Sequence, residues 1–267
     1  MIDTGGDLLS ALIEDVTSTP KYRCVCPELI EAIGRHQISL RGSFKQAVKE
    51  TRNCLHQVAG AYLRGRMRYS RWIEVLKSTS PERLKEQCVS MMSHHASTKE
   101  RLGELDNFYK RIFEAIPMPG TICDLGCGLN PLARPWMPVP DSMVYSAYDI
   151  YTDQADFLNQ FFVLTGTSGR AEAIDVGSGL PDAHYDLALL LKFLPLMEHL
   201  PHGDPMSLLR RIKADRLVIS YPIRSLGGKE RGMRDQYERK FRNLLEMEPW
   251  EIKRLEIDSE LVFLVNK

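Results

Sequence analysis

Thr121-Ile122-Cys123-Asp124-Leu125-Gly126-Cys127-Gly128 is the stretch on which the reading of this chain turns. Residues suited to a buried strand run straight into two glycines separated by one residue. Glycines at the carboxyl end of a first strand let the backbone pass close to a ligand. The dinucleotide fingerprint would place a third glycine three residues after Gly128, where Pro131 stands instead. A dinucleotide pyrophosphate cradle is therefore disfavoured.

The pattern continues outward from that turn. Strands are predicted at Thr121–Leu125, Val144–Ile150, Ala171–Val176, Tyr185–Leu191 and Arg216–Ile223, with a closing pair at Glu251–Ile257 and Glu260–Val265. Helical stretches at Asp153–Leu164, Pro205–Lys213 and Met233–Glu246 separate most of them. Strands alternating with helices predict an α/β fold, a mostly parallel sheet covered on both faces. The closing pair leaves no room for a helix and predicts an antiparallel hairpin at one edge. The prolines at 131, 135, 138 and 140 imply an ordered, non-helical excursion after the first turn.

Before residue 117 only helical spacing is found. Phe44, Ala47, Val48, Thr51, Leu55, Val58 and Tyr62 mark one apolar helix face. Ser80-Pro81 opens another helix. Ser97-Thr98-Lys99-Glu100 fits a capping box ahead of Leu102, Leu105, Tyr109, Ile112 and Phe113. Pro117-Met118-Pro119-Gly120 then punctuates the chain, so the expected organisation is a helical N-terminal domain, 1–116, and a sheet domain, 117–267.

Among 267 residues, 43% are hydrophobic and 26% charged, the balance of an ordinary soluble globular protein rather than a disordered or fibrous one. The longest apolar stretch, Leu187 to Met197, is interrupted by Lys192 and is too short to cross a bilayer. No basic leader precedes an apolar segment at the N-terminus, and six scattered cysteines do not form a disulfide framework, so a cytoplasmic protein is expected. Cys24-x-Cys26 and Cys123-x-x-x-Cys127 lack a matching second pair, and no metal site is expected.

The zero formal charge hides opposed blocks. Arg41, Lys45, Lys49, Arg52, Arg64, Arg66, Arg68 and Arg71 stand against one acid, Glu50, in residues 41–71. Residues 117–223 carry seven bases and twelve acids, and 224–254 turn basic again, nine against six. Such a division is either a set of solvated helix faces or a polyanion-binding surface on an acidic body.

Two carboxylates stand in register with the glycine turn. Asp149 ends the next predicted strand, where it can accept from both ribose hydroxyls of an adenosine. Asp175 ends the third, within reach of an adenine edge. The acid before the glycines resembles the first motif of S-adenosylmethionine-dependent methyltransferases, which implies a Rossmann-like sheet.

Longer strings sharpen the resemblance. Leu55-His56-Gln57, Gly60-Ala61-Tyr62, His95-Ala96-Ser97-Thr98-Lys99-Glu100-Arg101-Leu102, the run Asp124 to Ala133, Lys192-Phe193-Leu194-Pro195-Leu196-Met197-Glu198 and the segment Ser220 to Lys229 occur in this order. Together they resemble the aminoglycoside-resistance 16S rRNA (guanine-N7)-methyltransferases that act on guanine 1405. The likeness runs from about residue 21 to the C-terminus, departing at Gly126, where some members have alanine, and at Glu230-Arg231, where a more basic pair is usual.

The resemblance implies S-adenosyl-L-methionine as cofactor, held by Tyr62, His95, Ala96, Ser97, Arg101, Gly126, Asp149, Asp175, Val176 and Leu191. Arg101 and a helix start at Ser97 would receive the methionine carboxylate. Tyr62 is either a cofactor contact or a core aromatic, and Ser97 is also an N-cap candidate paired with Glu100. The Arg41–Arg71 block would grip rRNA phosphates, while Arg224, Ser225 and Lys229 would face the target nucleotide. Guanine N7 is nucleophilic without losing a proton, so no catalytic base is assigned. The expected partner is 16S rRNA within the assembled 30S subunit, the expected state a monomer. A small-molecule methyltransferase and a non-catalytic RNA-binding protein with a vestigial cofactor fold remain as alternatives.

Overall fold

Seven strands form one sheet in the order β3-β2-β1-β4-β5-β7-β6. The computed structural model describes residues 4–65, 67–223 and 232–267. The strands are β1 (Thr121–Leu125), β2 (Val144–Asp149), β3 (Gly169–Ala173), β4 (Tyr185–Leu191), β5 (Ala214–Pro222), β6 (Glu251–Leu255) and β7 (Glu260–Asn266). β1 to β5 pair in parallel; β7 runs antiparallel between β5 and β6. The expected parallel sheet with an antiparallel edge is the observed one.

The helices are α1 (Thr4–Thr17), α2 (Pro27–Leu40), α3 (Phe44–Leu55), α4 (Tyr69–Lys77), α5 (Leu84–Met92), α6 (Ala96–Lys99), α7 (Leu105–Glu114), α8 (Thr152–Thr165), α9 (Leu194–Met197), α10 (Pro205–Arg211) and α11 (Met233–Leu244). Strand periodicity sorts the core. Leu187, Leu189 and Leu191 of β4 pack with α4, α5, α7 and α8 on one face, while Ala188 and Leu190 pack with α9 to α11 on the other. Burial on both faces explains why β4 reads as an unbroken apolar run. A third cluster, built from α1 to α3 with Val58 and Ala59, takes in Tyr151 from the sheet side. The change from helical to alternating structure falls near residue 117, but the core of α4, α5 and α7 continues into the sheet.

Three local expectations are corrected. The stretch from Ser97 to Phe113 is not one capped helix but α6, a 3-10 turn at Leu102–Glu104, and α7. His95, not Ser97, holds the N-cap position. Glu100 pairs with the buried Lys192, at 2.6 Å, and that charged partner takes the place of a capping-box contact. The proline-rich excursion after β1 contains a 3-10 helix, Asn130–Trp136. Asp175 lies two residues beyond β3, because its carbonyl turns the chain by accepting from Ser178 and Gly179 N–H.

The chain order places β2 and β3 on one side of β1 and β4 and β5 on the other. A crevice opens beyond the carboxyl ends where the direction reverses. The N-terminal helices are stitched to this end: Cys26 N–H donates to Ile150 O at 2.7 Å, and Thr152 N–H to Cys24 O at 2.8 Å. Val25 and Tyr151 form an antiparallel bridge between these contacts.

Candidate active site

The glycine turn after β1 has a steric cause. Gly126 (φ 65°) and Gly128 (φ 51°) both take left-handed backbone conformations. A Cβ on Gly126 would lie 2.2 Å from Phe193 Cδ2, and one on Gly128 would lie 2.8 Å from His95 Cε1. Gly128 N–H donates to Asp149 Oδ2 at 2.7 Å, and Ile150 N–H donates to Asp149 Oδ1 at 2.7 Å. The carboxylate is thereby fixed at the end of β2, with remaining lone pairs available to hydroxyl donors.

Beyond this turn lies a pocket of about 700 Å³ with its solvent-open part included. Tyr62, His95, Ser97, Gly126, Asp149, Asp175, Val176 and Leu191 line it, eight of the ten cofactor residues named from the sequence. Leu29, Val58, Ala59, Ile150, Tyr151, Lys192, Phe193, Leu196 and Leu200 complete the walls. Val58, Ala59 and Tyr62 come from the chain just after α3, where a π-helical turn, His56–Gly60, re-aims the backbone. Asp175 receives Gly177 N–H on Oδ1, and His202 Nε2 lies 2.9 Å from Oδ2. Burial raises this carboxyl's pKa, but His202 and the neighbouring donors outweigh it and hold it below the usual range. Asp149 is pushed upward by burial, against the two backbone donors that favour its charge.

His95 stacks on Tyr62, ring centroids 6.0 Å apart. Burial, Lys192 and Arg101 push its pKa down to about 4, so it is neutral at pH 7. Tyr62 is driven up to about 12 by burial and keeps its proton.

The two remaining candidates sit elsewhere. Ala96 is buried behind the lining, its N–H on Tyr62 O. Arg101 is 1% exposed and does not line the cavity. Its Nε and Nη2 donate to both oxygens of Glu260 at 2.8 and 3.0 Å, and Nη1 donates to Asn130 Oδ1 at 2.7 Å. The sequence reading gave this guanidinium to a ligand carboxylate; the carboxylate it meets is the protein's own.

Sequence reasoning missed Lys192. It is the one non-glycine residue with positive φ (59°) among the described residues, a conformation that costs about 1–3 kcal/mol. Its N–H is held by Ser220 O and Oγ, and its ammonium by Ser97 O, Glu100 and Glu260. A lysine breaking an eleven-residue apolar run was the available signal. Phe193 follows it and fills the space that Gly126 leaves.

Asp124 does not reach the cavity. It is 1% exposed, accepts from Tyr145 Oη and Asn130 Nδ2 at 2.6 and 2.8 Å, and is raised to about 6 by burial. It ties Asn130, after the glycine turn, to Tyr145 of β2.

Of the basic block, Arg41, Lys45, Lys49, Arg64, Arg68 and Arg71 are exposed, at the α2–α3 corner and along the chain into α4. Arg52 is partly buried, its guanidinium tied to Asp15 O, Asp15 Oδ1 and Thr19 Oγ1, which closes α3 onto α1. Arg66, Arg224, Ser225 and Lys229 lie outside the described residues. Among the described residues no helix is long and apolar enough to cross a membrane, and no group of three or more His, Cys, Asp or Glu is placed to hold a metal.

The chain is similar over nearly its whole length to known proteins. A family model described as ribosomal RNA methyltransferase (FmrO) matches residues 18–264. A Micromonospora rosea protein named 16S rRNA (guanine(1405)-N(7))-methyltransferase is 34% identical, covering 99% of this chain and 98% of its own. A Serratia marcescens protein of the same name is 33% identical over 96% and 97%. Among solved structures, the 16S rRNA methyltransferase RmtF in complex with S-adenosyl-L-homocysteine superposes with a TM-score of 0.81 at 29% identity, covering 100% of this chain and 99% of its own. RmtB, a 16S rRNA methylase, gives 0.79 at 29% identity over 97% and 98%.

Proposed function

The chain belongs to the ribosomal RNA methyltransferase (FmrO) family, and from that premise we propose how its residues carry the reaction. It transfers a methyl group from S-adenosyl-L-methionine to N7 of guanine 1405 in 16S rRNA, an aminoglycoside-resistance activity. The observation that carries the assignment of roles is the cavity at the reversal of strand order, with Asp149 fixed beside a glycine turn that admits no side chain.

The cofactor, when bound, supplies an electrophilic methyl on a sulfonium sulfur. Asp149 accepts from the ribose hydroxyls, Asp175 accepts from the adenine amino edge, and Val176, Leu191 and Phe193 enclose the base. Tyr62, His95 and Ser97 border the methionine end. A neutral His95 is compatible with a cationic cofactor where a charged imidazolium would oppose it. Arg101 acts one layer back, by holding Glu260 and Asn130 beneath the turn. No side chain removes a proton, because the N7 lone pair forms the new bond directly. The chain's contribution is alignment in a site that excludes water.

Residues 1–116 form the part that grips rRNA phosphates, through Arg41, Lys45, Lys49, Arg64, Arg66, Arg68 and Arg71, and Arg224, Ser225 and Lys229 serve to bind the target nucleotide. The substrate is the assembled 30S subunit, read by shape, and the base is flipped into the site because an A-form major groove is closed to side chains. The enzyme acts as a monomer in the cytoplasm and requires no metal.

The test is methyl transfer from labelled S-adenosylmethionine to purified 30S subunits, naked 16S rRNA and a no-RNA control, mapped by borohydride–aniline cleavage at 7-methylguanosine. A single cleavage at guanine 1405 in 30S supports the reading; cofactor binding without RNA label sinks it. Reversing Arg41, Lys45 and Lys49 to Glu should abolish 30S binding and leave calorimetric affinity for S-adenosylhomocysteine unchanged. Retained 30S affinity would remove the phosphate-binding role.

A further inference from the structure

A second cavity adjoins the first, about 670 Å³ with its solvent-open part included. The two share Tyr62, Ser97, Lys192 and Leu196, so these residues form the partition between them. Glu100, His199 and Tyr237 border the outer cavity only. Glu100 is partly exposed at its side chain, 32%, while its partner Lys192 is 4% exposed. A carboxylate and an ammonium therefore stand side by side, 2.6 Å apart, with the ammonium at the partition and the carboxylate in the outer space.

That order of charges matches one base edge. Around guanine, N7 is followed by the O6 acceptor, then by the N1–H donor and the 2-amino donor. With N7 aimed into the inner cavity, O6 falls at the partition beside Lys192, and N1–H and the 2-amino group fall in the outer cavity beside Glu100. Adenine presents the opposite polarity, an amino donor at position 6 and a bare acceptor at N1, and would set like against like at both places. We propose that Glu100 is a specificity-determining residue that accepts from the N1–H and 2-amino groups of the flipped guanine; this rests on the guanine-N7 methyltransferase reading above.

Lys192 need not leave the protein's own network to take part. Glu260 Oε1 lies 3.2 Å from its ammonium and Ser97 O 3.1 Å, so it stays neutralised while Glu100 turns to the base. Glu100 then does a second thing. Methylation moves positive charge onto the purine, and a carboxylate hydrogen-bonded to that ring favours the charged product over the neutral substrate.

The experiment pairs wild type and Glu100→Gln with 30S subunits reconstituted with guanosine or inosine at the target position; inosine lacks only the 2-amino group. Wild type should methylate the inosine subunit about tenfold or more slowly, and Glu100→Gln should be slowed about 10- to 100-fold on guanosine, the range for hydrogen bonds to a charged group. Inosine should cost the variant little further, while calorimetric affinity for S-adenosylhomocysteine stays at the wild-type value. Equal rates of wild type on the two subunits, or the same inosine penalty in both enzymes, would overturn the assignment; the first comparison requires no variant to fold. No label from wild type on either subunit would remove the parent reading and this one with it.

Discussion

Replacing Arg101 by Met tests whether that guanidinium is part of the framework or part of the ligand site. Arg101 and Glu260 are 1% and 0% exposed at their side chains and share a two-pronged contact. Burial alone would raise the Glu260 carboxyl; Arg101 and Lys192 overcome that and hold it below the usual range. Removing one member of a buried pair typically costs about 3–5 kcal/mol, because the other charge is left behind. Lys192 and Ser220 still face Glu260, so the lower end, about 3 kcal/mol, is the expected loss. In a chain of this size that corresponds to a fall in Tm on the order of 6–12 °C. The double variant Arg101→Met with Glu260→Leu removes both charges and should recover most of the loss. Urea unfolding of the four proteins gives the cycle, and calorimetry with S-adenosylhomocysteine gives the ligand affinity. A single Arg101→Met variant that unfolds like wild type but binds tenfold more weakly would refute the reasoning and return Arg101 to the cofactor carboxylate.

Two further outcomes are expected. His95 takes up a proton in the unfolded chain near its ordinary pKa of 6.5 but in the native protein only at about 4, so its contribution to stability is lost as pH falls through that window. Between pH 7 and pH 5 wild type should lose about 2 kcal/mol through this group relative to His95→Gln; parallel pH dependence of the two in urea unfolding would contradict a depressed His95. Gly128→Ala places a Cβ 2.8 Å from His95 Cε1 at φ 51°, and should weaken S-adenosylhomocysteine binding about tenfold or more by disturbing the N–H that holds Asp149. Wild-type affinity in that variant would show that the turn tolerates a side chain.

The parts of this molecule that were legible in its sequence are those with local causes. Alternating burial and a glycine pair are properties of a few adjacent residues, so β1, its turn and Asp149 could be located before the fold was known. The closing strands were placed for the same reason, since β6 and β7 are joined by too little chain for a helix. What escaped has causes far apart in the chain. Arg101 and Glu260 are separated by 159 positions, and nothing near either one states that they meet. The resemblance placed Arg101 at a ligand, one turn into a helix starting at Ser97; the break after α6 turns it inward instead. Glu100 fits a local capping box and is captured by a lysine from beyond β4. Arg52 shares the spacing of its basic neighbours, yet Asp15 lies across from it on α1 and pairs with it. A charge pattern records where cations fall along a helix, not which of them already have partners.

The cavity walls draw on all three hydrophobic clusters. Leu29, Val58, Ala59 and Tyr62 come from the N-terminal helices and the turn that follows them, while Asp149, Asp175, Val176 and Leu191 come from the sheet. A molecule seated between them is a fastener as well as a reactant. Any opening that lifts α2 and α3 off Tyr151 dismantles half of the pocket, so ligand binding raises the free energy of that opening by RT ln(1 + [L]/Kd). The amides of α2 and α3 then exchange with solvent more slowly in the loaded enzyme, although none of them touches the methyl group. The helices on either side of Arg41, and with them Lys45 and Lys49, are thus held most rigidly when the cofactor is in place.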